Sequence, residues 1–490
     1  MGTARRGATL GATTGTVGTT TGTLTRVVLG TRLKYLGLAA VLAWHYCLWF
    51  VPSAFPTTFL LDDRITFAWL VALAAAGLVP LLLAWRLGRR RHLEASAAIV
   101  WPTAALGAAG TAVLTSVGMV LPAPWLAYVS AFVVGASAGV LWVLWGERFA
   151  CQNARFTLGR VAPTYGGFLF AAVAVTYLAP GWFAPAFVCL LPLLSGLLLR
   201  ANVRALPDRT YPRLLPAKAA TEGTRTMVTV TVISFAASAV LYYTVAIVPW
   251  GALGAIQDAF TYGILIGAAL VLVFALLQRR PGPRRSPYRV YPWLLLAALV
   301  SCVLYLADDR LDAVAFLLAL AISSVFEVLL TMYMGVLTQR GYAPPATAYA
   351  LSGSAIRFGI CAGNGLALTY ESVPAWHAAL VRPTFVVLVV LMAFLLITMV
   401  RQEYRIEELT RSPQAESELV AIINAVAEEF RLSDREREIM GLIGQGYSAS
   451  AVAEKLFISP YTVNTHVQHI YGKLSIHKRS ELITYLHRDA

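Results

Sequence analysis

Between residues 35 and 400 the chain is written in apolar runs of about twenty residues, separated by short polar or basic segments. A helix of that length spans about 30 Å, the hydrocarbon thickness of a bilayer. The pattern predicts membrane helices at 35–55, 66–86, 97–119, 124–146, 162–180, 183–200, 226–249, 256–278, 291–307, 312–337, 345–369 and 379–400, twelve in all. Beyond residue 401 the pattern changes. Apolar residues there recur three and four apart with charges between them, the spacing of short amphipathic helices on a water-soluble core. Residues 1–33 are mostly Thr, Gly, Ala and Arg, contain no signal-peptide core, and read as a disordered, basic cytoplasmic arm.

In the C-terminal segment, Ser433 to Glu436 forms a Ser-x-x-Glu capping box, and the helix it opens carries Ile439, Leu442 and Ile443 before Gly446 ends it. A short second helix, 448–456, presents Val452, Ala453 and Leu456, and a tight connection leads to Ser459-Pro460, a paired helix-start signal. From there Val463, Val467, Ile470, Tyr471 and Leu474 make an apolar stripe, while Asn464, Thr465, Gln468 and His469 fall on the other side. That side is polar but uncharged, and amide and hydroxyl groups of this kind can pair with base edges. Helix, tight turn and second helix in this order make a helix-turn-helix. A fourth helix, from Lys478 to about His487, offers Leu482, Ile483 and Leu486.

Residues 432–486 thereby resemble the LuxR-type (GerE) DNA-binding domain of bacterial transcription factors, through Leu432-Ser433-x-Arg435-Glu436-x-Glu438, Ala453-Glu454-x-Leu456, Thr462-Val463-x-x-His466-Val467 and Lys473-Leu474. The resemblance implies that Asn464, Thr465 and Gln468 face bases, that Lys473 and nearby polar groups face phosphates, with Thr462 and His469 as further DNA-binding candidates, and that the fourth helix supports a homodimer. It departs at Asn464, where the family often carries lysine. A cytoplasmic partner-binding module is the alternative reading of these helices.

Composition, 58% hydrophobic and 13% charged, excludes an ordinary soluble protein. Arginines cluster after the second span (Arg86, Arg89, Arg90, Arg91), the fourth (Arg148, Arg155, Arg160) and the eighth (Arg279, Arg280, Arg284, Arg285, Arg289), whereas Asp62, Asp63, Asp308, Asp309 and Asp312 mark intervening loops. Basic loops stay cytoplasmic, so both termini are expected inside the inner, cytoplasmic membrane, where the tail can reach DNA. The net charge of +14 belongs to the membrane part. Residues 401–490 hold 11 basic and 13 acidic side chains, leaving 28 and 12 to the rest, an excess suited to anionic lipid.

A basic, proline-rich linker at 201–225 divides six spans (34–200) from six (226–400), and a second linker, 401–431, carries an amphipathic stripe at Leu419, Ile422, Ile423, Val426 and Phe430 ahead of the tail at 432–490. The 6+6 layout resembles the major facilitator superfamily, and Trp85-Arg86-Leu87-Gly88-Arg89-Arg90 matches its loop motif except that Trp85 replaces the acid of a conformational latch. The expected protein is therefore all-α and polytopic: twelve transmembrane helices followed by a four-helix LuxR-type domain. In this combination it resembles membrane-embedded LuxR-type regulators.

Ionisable residues in lipid are costly and mark polar sites. Three stand near span centres: His45, Glu327 and Arg357. Glu327 and Arg357, on consecutive spans, can pair either as a structural staple or as part of a ligand pocket, with Tyr242, Tyr243 and Asn364 as further candidates. His45 is either a core histidine or a member of that pocket. Trp142 and Trp145 read as anchors at the membrane interface. Cys47, Cys151, Cys189, Cys302 and Cys361 lack ligand spacing and read as core filling. No metal, cofactor or catalytic arrangement is implied, so the expectation is not an enzyme. It is a regulator whose partners are promoter DNA, a small-molecule inducer, membrane lipid and, for an activator, RNA polymerase. The alternatives are a transporter carrying a regulatory DNA-binding tail and a membrane scaffold whose tail binds protein.

This orientation is open to direct measurement. Reporter fusions near Asp62 and Asp309 should report outside the cytoplasm, and fusions near Arg90, Arg213 and Arg284 inside; an external signal at Arg213 would break the 6+6 assignment.

Overall fold

The computed structural model describes residues 36–55, 63–88, 92–120, 124–151, 154–205, 211–247, 256–277, 290–410, 422–444 and 447–486. The expected N-terminal arm lies outside them. Among the described residues all regular structure is helical. A helix stands at each of the twelve apolar runs: α1 Gly37–Phe50, α2 Asp63–Leu87, α3 Ala97–Val120, α4 Pro124–Ala150, α5 Ala154–Leu178, α6 Phe183–Ala205, α7 Ala217–Ile247, α8 Ile256–Leu277, α9 Tyr291–Ala307, α10 Asp312–Gln339, α11 Pro345–Glu371 and α12 Pro374–Thr410. The C-terminal part holds α13 (422–429), α14 Asp434–Gly444, α15 Ala449–Leu456, α16 Pro460–Leu474 and α17 Arg479–Leu486.

Eight of these helices, α2, α3, α4, α6, α7, α8, α10 and α12, are long and apolar enough to cross a membrane. Of the other four, α1, α5 and α9 are apolar but shorter over the described residues. All of the fourteen residues of α1 except His45 are buried, so it is walled in by protein and needs little length. Helix α11 is long but carries Ser352, Ser354, Arg357 and Asn364, all buried; a helix facing protein rather than lipid can hold such residues once their hydrogen bonds are met. Hydroxyls along the bundle meet theirs locally, as where Thr111, Ser234, Thr244 and Thr331 each donate to the carbonyl four residues back.

The packing repeats after six helices. The pairs α2–α4, α3–α4, α3–α6 and α1–α5 of the first half have counterparts in α8–α10, α9–α10, α9–α12 and α7–α11 of the second. Between halves, α2 packs on α11 and α5 on α8, which are the same pair viewed from the two sides of a pseudo-twofold axis.

Small residues set the closest approaches. A Cβ at Gly135 would collide with the backbone of Ala72, and Cβ atoms at Gly359 and Gly363 would collide with the carbonyls of Phe235 and Ala239. Both sets are Gly-x-x-x-Gly spacings (Gly135 with Gly139, Gly359 with Gly363) that let α4 lie against α2 and α11 against α7.

One expectation is corrected. Trp142 and Trp145 are not interface anchors: they are 2% and 0% exposed, and their indole N–H groups donate to the Tyr349 carbonyl at 3.1 Å and to Ser195 Oγ at 3.0 Å. A buried indole is tolerated because that one donor is satisfied. Within the expected break at 201–225, α6 runs to Ala205 and α7 begins at Ala217; polar residues near these ends pair inside the fold, as in Arg200 to the Ala95 carbonyl at 2.7 Å and Arg148 to Asn202 Oδ1 at 3.0 Å. Of the amphipathic stripe expected in the second linker, Leu419 lies outside the described residues and Ile422, Ile423 and Val426 fall on α13. Ile423, Val426 and Ala427 of α13 are buried in one cluster with Ile439, Met440, Val463, Ile470 and Leu482, adding a helix to the four-helix tail.

Replacing Gly363 or Gly135 by Val should therefore force α11 from α7 or α4 from α2, at about 1–3 kcal/mol each. Thermal melts of detergent-solubilised protein should show both variants melting lower, whereas Gly365→Val, where a Cβ has nothing within 4 Å, should melt as the parent does.

Candidate functional site

Helices from both halves converge on one small cavity, and the lining includes His45 and Tyr46 of α1, Tyr242 of α7, Ser323 and Glu327 of α10, and Arg357 of α11. Water centres can reach about 10 Å³ of it, the room of about one molecule. Arg357 Nη2 lies 3.3 Å from Glu327 Oε1. The other guanidinium nitrogen, Nη1, donates to the Gly353 carbonyl at 3.0 Å, and the group stands 4.8 Å from the centroid of the Trp142 ring. Glu327 Oε2 accepts from the Tyr46 hydroxyl at 3.0 Å. Each charge thus has its counterion and a second partner, the condition under which an ion pair can persist away from water.

The structure brings together His45, Tyr242, Glu327 and Arg357 and leaves two other candidates aside. Asn364 is buried, but its amide donates to the Ile360 carbonyl at 3.1 Å, one turn along α11, and it does not line the cavity. Tyr243 faces the opposite way, its ring 5.3 Å from that of Phe385 on α12. Sequence reasoning missed Tyr46 and Trp142 as members of the cluster. An aromatic residue inside an apolar run gives no sign of which charge it will meet.

At the end of α4, Glu147 accepts from the backbone N–H groups of Leu93 and Glu94 at 2.8 and 3.2 Å, so an acid does hold the loop after α2 even though Trp85 stands exposed in the motif position. Beyond it the His92 ring stacks on Tyr211 at 3.6 Å.

In the tail, local chemistry sets each helix start. Ser433 N–H donates to Glu436 Oε2 at 2.7 Å and Glu436 N–H to Ser433 Oγ at 3.3 Å, closing the capping box. Ser448 and Ser459 accept from Ala451 and Thr462 N–H at 3.2 and 3.0 Å. Val463, Val467, Ile470 and Leu474 of α16 are buried, while Asn464, Thr465, Gln468 and His469 are exposed. Thr462 is partly buried, its hydroxyl 2.8 Å from that of Ser459, and the Thr465 hydroxyl donates to the Tyr461 carbonyl at 3.1 Å. Lys473 has partners within the tail: its ammonium donates to Glu436 Oε2 at 2.7 Å and to the Arg431 carbonyl at 3.2 Å. Leu482 and Leu486 of α17 are buried in the tail's own core.

Residues 431–486 match the family described as bacterial regulatory proteins, luxR family. Over 63 residues the tail is 46% identical to the oxygen regulatory protein NreC of Staphylococcus carnosus, covering 13% of this chain and 29% of that protein. Over 54 residues it is 48% identical to NreC of Staphylococcus aureus, covering 11% and 25%. The chain thus spans under a third of the length of these relatives. The helical bundle is similar to the human organic anion transporter MFSD10 (TETRAN), with TM-score 0.50, 15% identity and coverage of 75% of this chain and 98% of that one. It is also similar to a bacterial homologue of the iron transporter ferroportin in its outward-facing state, with TM-score 0.50, 14% identity and coverage of 76% and 99%. These likenesses concern the fold. Residues 431–486 thus form a LuxR-type helix-turn-helix domain, and the apolar helical bundle before it shares its fold with transporters of known structure.

The Glu436–Lys473 pair has a pH signature. Burial alone would raise the Glu436 carboxyl, but hydrogen bonds from Lys473 and Ser433 outweigh it and hold the group at about 2. A depressed carboxyl contributes stability in full above its ordinary value of 4.5 and loses it as pH falls towards 2. Amide exchange in α14 and α16 should accelerate over that window. Glu436→Gln should accelerate it already at pH 7, by about 1–2 kcal/mol of local stability, and flatten the acid response.

Proposed function

We propose that this protein is a one-component transcriptional regulator: a twelve-span sensor, with both termini in the cytoplasm, that binds a small molecule between its halves and thereby changes how its tail engages promoter DNA. The observation that carries this reading is the buried Glu327–Arg357 cluster at the junction of the two halves, in the same chain as a LuxR-type domain. A ligand shifts an equilibrium only by its differential affinity for two states. The cavity as it stands has room for about one water, so a larger molecule requires the halves to separate, and its binding energy then favours the separated state. Residues Asn464, Thr465 and Gln468 read bases, Thr462 and His469 assist, and two tails pair on a promoter. Lys473 contacts phosphate only by sharing its charge with Glu436. An activating role would add RNA polymerase as a partner.

A transporter carrying a regulatory tail is the second reading, favoured by the fold's similarity to transporters and by the loop held on Glu147. Uptake of candidate compounds into proteoliposomes, set beside compound-dependent transcript profiles of strains with and without the protein, separates the two.

The ion pair gives the sharper test. Removing one partner of a buried pair leaves an uncompensated charge, a cost of about 3–5 kcal/mol. Glu327→Gln and Arg357→Gln should each lower membrane abundance, and the double variant should recover it. A sensing role further requires that the double variant still occupy promoter DNA while its transcription no longer responds to inducer. Recovery of both abundance and response would reduce the pair to a staple.

A further inference from the structure

Among the described residues of the tail, two large apolar side chains stand in solvent: Phe457, 95% exposed, and Tyr461, 82% exposed. Both sit at the head of α16. Phe457 occupies the turn between α15 and α16 in the left-handed region, with φ 52° and ψ 42°, a conformation that Gly or Asn adopts at less cost than an aromatic residue. Neither side chain serves the tail's core, whose members lie on the other face of α16. Strain spent on an exposed aromatic group points to a contact outside the fold.

The occupant follows from continuity with the recognition face. Tyr461 precedes Asn464, Thr465 and Gln468 by three, four and seven residues, so on a helix it extends their exposed stripe by one turn towards the N-terminus. In a helix-turn-helix that end of the recognition helix lies nearest the base edges. The major groove offers one apolar group there, the thymine 5-methyl. Charge points the same way: with 11 basic and 13 acidic side chains in residues 401–490, phosphate attraction contributes little, and apolar contact has more of the affinity to supply.

We infer that Tyr461 is a specificity-determining residue that packs its ring on a thymine methyl group, with Phe457 against the adjoining sugar-phosphate backbone. The inference rests on the DNA-reading role assigned to α16.

The test uses the full chain in lipid nanodiscs and duplexes enriched by it from a random-sequence library. Replacing thymine by deoxyuridine, one position at a time, removes only the methyl group. At one or two positions per half-site this should weaken binding about fourfold, the factor for one buried methyl. Tyr461→Ala should weaken binding to the thymine site by a similar factor and lose the distinction between thymine and deoxyuridine; Tyr461→Phe should keep it. Phe457→Asn relieves the turn, so the tail should exchange its amides no faster, yet bind all duplexes more weakly. A rise in DNA affinity for that variant would place the aromatic pair against the bilayer and overturn the inference. So would enriched sites indifferent to deoxyuridine, or a Tyr461→Ala variant that still discriminates. Failure to enrich any sequence would instead overturn the DNA-reading role itself, and the inference with it.

Discussion

A guanidinium and a carboxylate placed between two six-helix halves can stay charged only by meeting each other. Taking either out of water costs several kcal/mol, recovered only with good geometry and further hydrogen bonds. Much of the membrane domain's interior follows from that requirement. Arg357 needs the Gly353 carbonyl, and position 353 must be glycine-sized, because a Cβ there would lie 2.9 Å from Trp142 Nε1 and 3.4 Å from Arg357 Nη1. Trp142 has to be inside, beneath the guanidinium, and Tyr46 must bring its hydroxyl from α1 to the second carboxylate oxygen. Helices α1, α4, α10 and α11 are thereby tied to one point. The polarity of α11, with Ser352, Ser354, Arg357 and Asn364 all buried, goes with its place at this junction.

The helices of the bundle were legible because lipid imposes a length and a composition on each, and the pattern marked a segment for every helix, α1 and α11 included. The tail was legible because capping and turn chemistry are local: Ser433, Ser448 and Ser459 act within three residues of themselves. In the cavity, His45, Glu327 and Arg357 announced themselves as ionisable groups in apolar surroundings. What stayed hidden depends on contacts far apart in the chain. Tyr46 meets Glu327 across 281 positions, and Trp142 looks the same in sequence whether it faces lipid headgroups or a guanidinium. Lys473, to which the resemblance gives a phosphate, also donates to Glu436, a partner 37 residues earlier that no local pattern announces. Asn364 has the right chemistry on the right helix, one turn away from the cavity.

The boundary between the two parts carries mechanical meaning. Helix α12 runs to Thr410, with Ile406 still buried in the membrane domain's cluster, whereas α13 is already part of the tail's core. The tail as a packed unit begins before the residues that match the family. A helix buried in that core moves with it as one body, so under the proposed regulator reading a change in the bundle would reach α16 as a displacement of the whole tail. This suits a device in which orientation or pairing of tails, not the folding of each, is the regulated quantity.

The charge distribution makes such a device workable. A strongly basic tail would adhere to any DNA near the membrane through counterion release, and its position would matter little. This tail carries a slight acidic excess, while the basic excess of the chain lies in the membrane part, where it suits cytoplasmic loops and anionic lipid. On the proposed reading its hold on DNA would depend on base-edge and apolar contacts made in register, which are lost by small displacements. Confinement to a membrane raises the effective concentration of one tail near another, so that two weak half-site contacts combine into one strong one only when geometry permits both. Under the regulator reading proposed above, weak non-specific affinity is what would let a movement in the lipid-embedded halves decide whether the DNA is held.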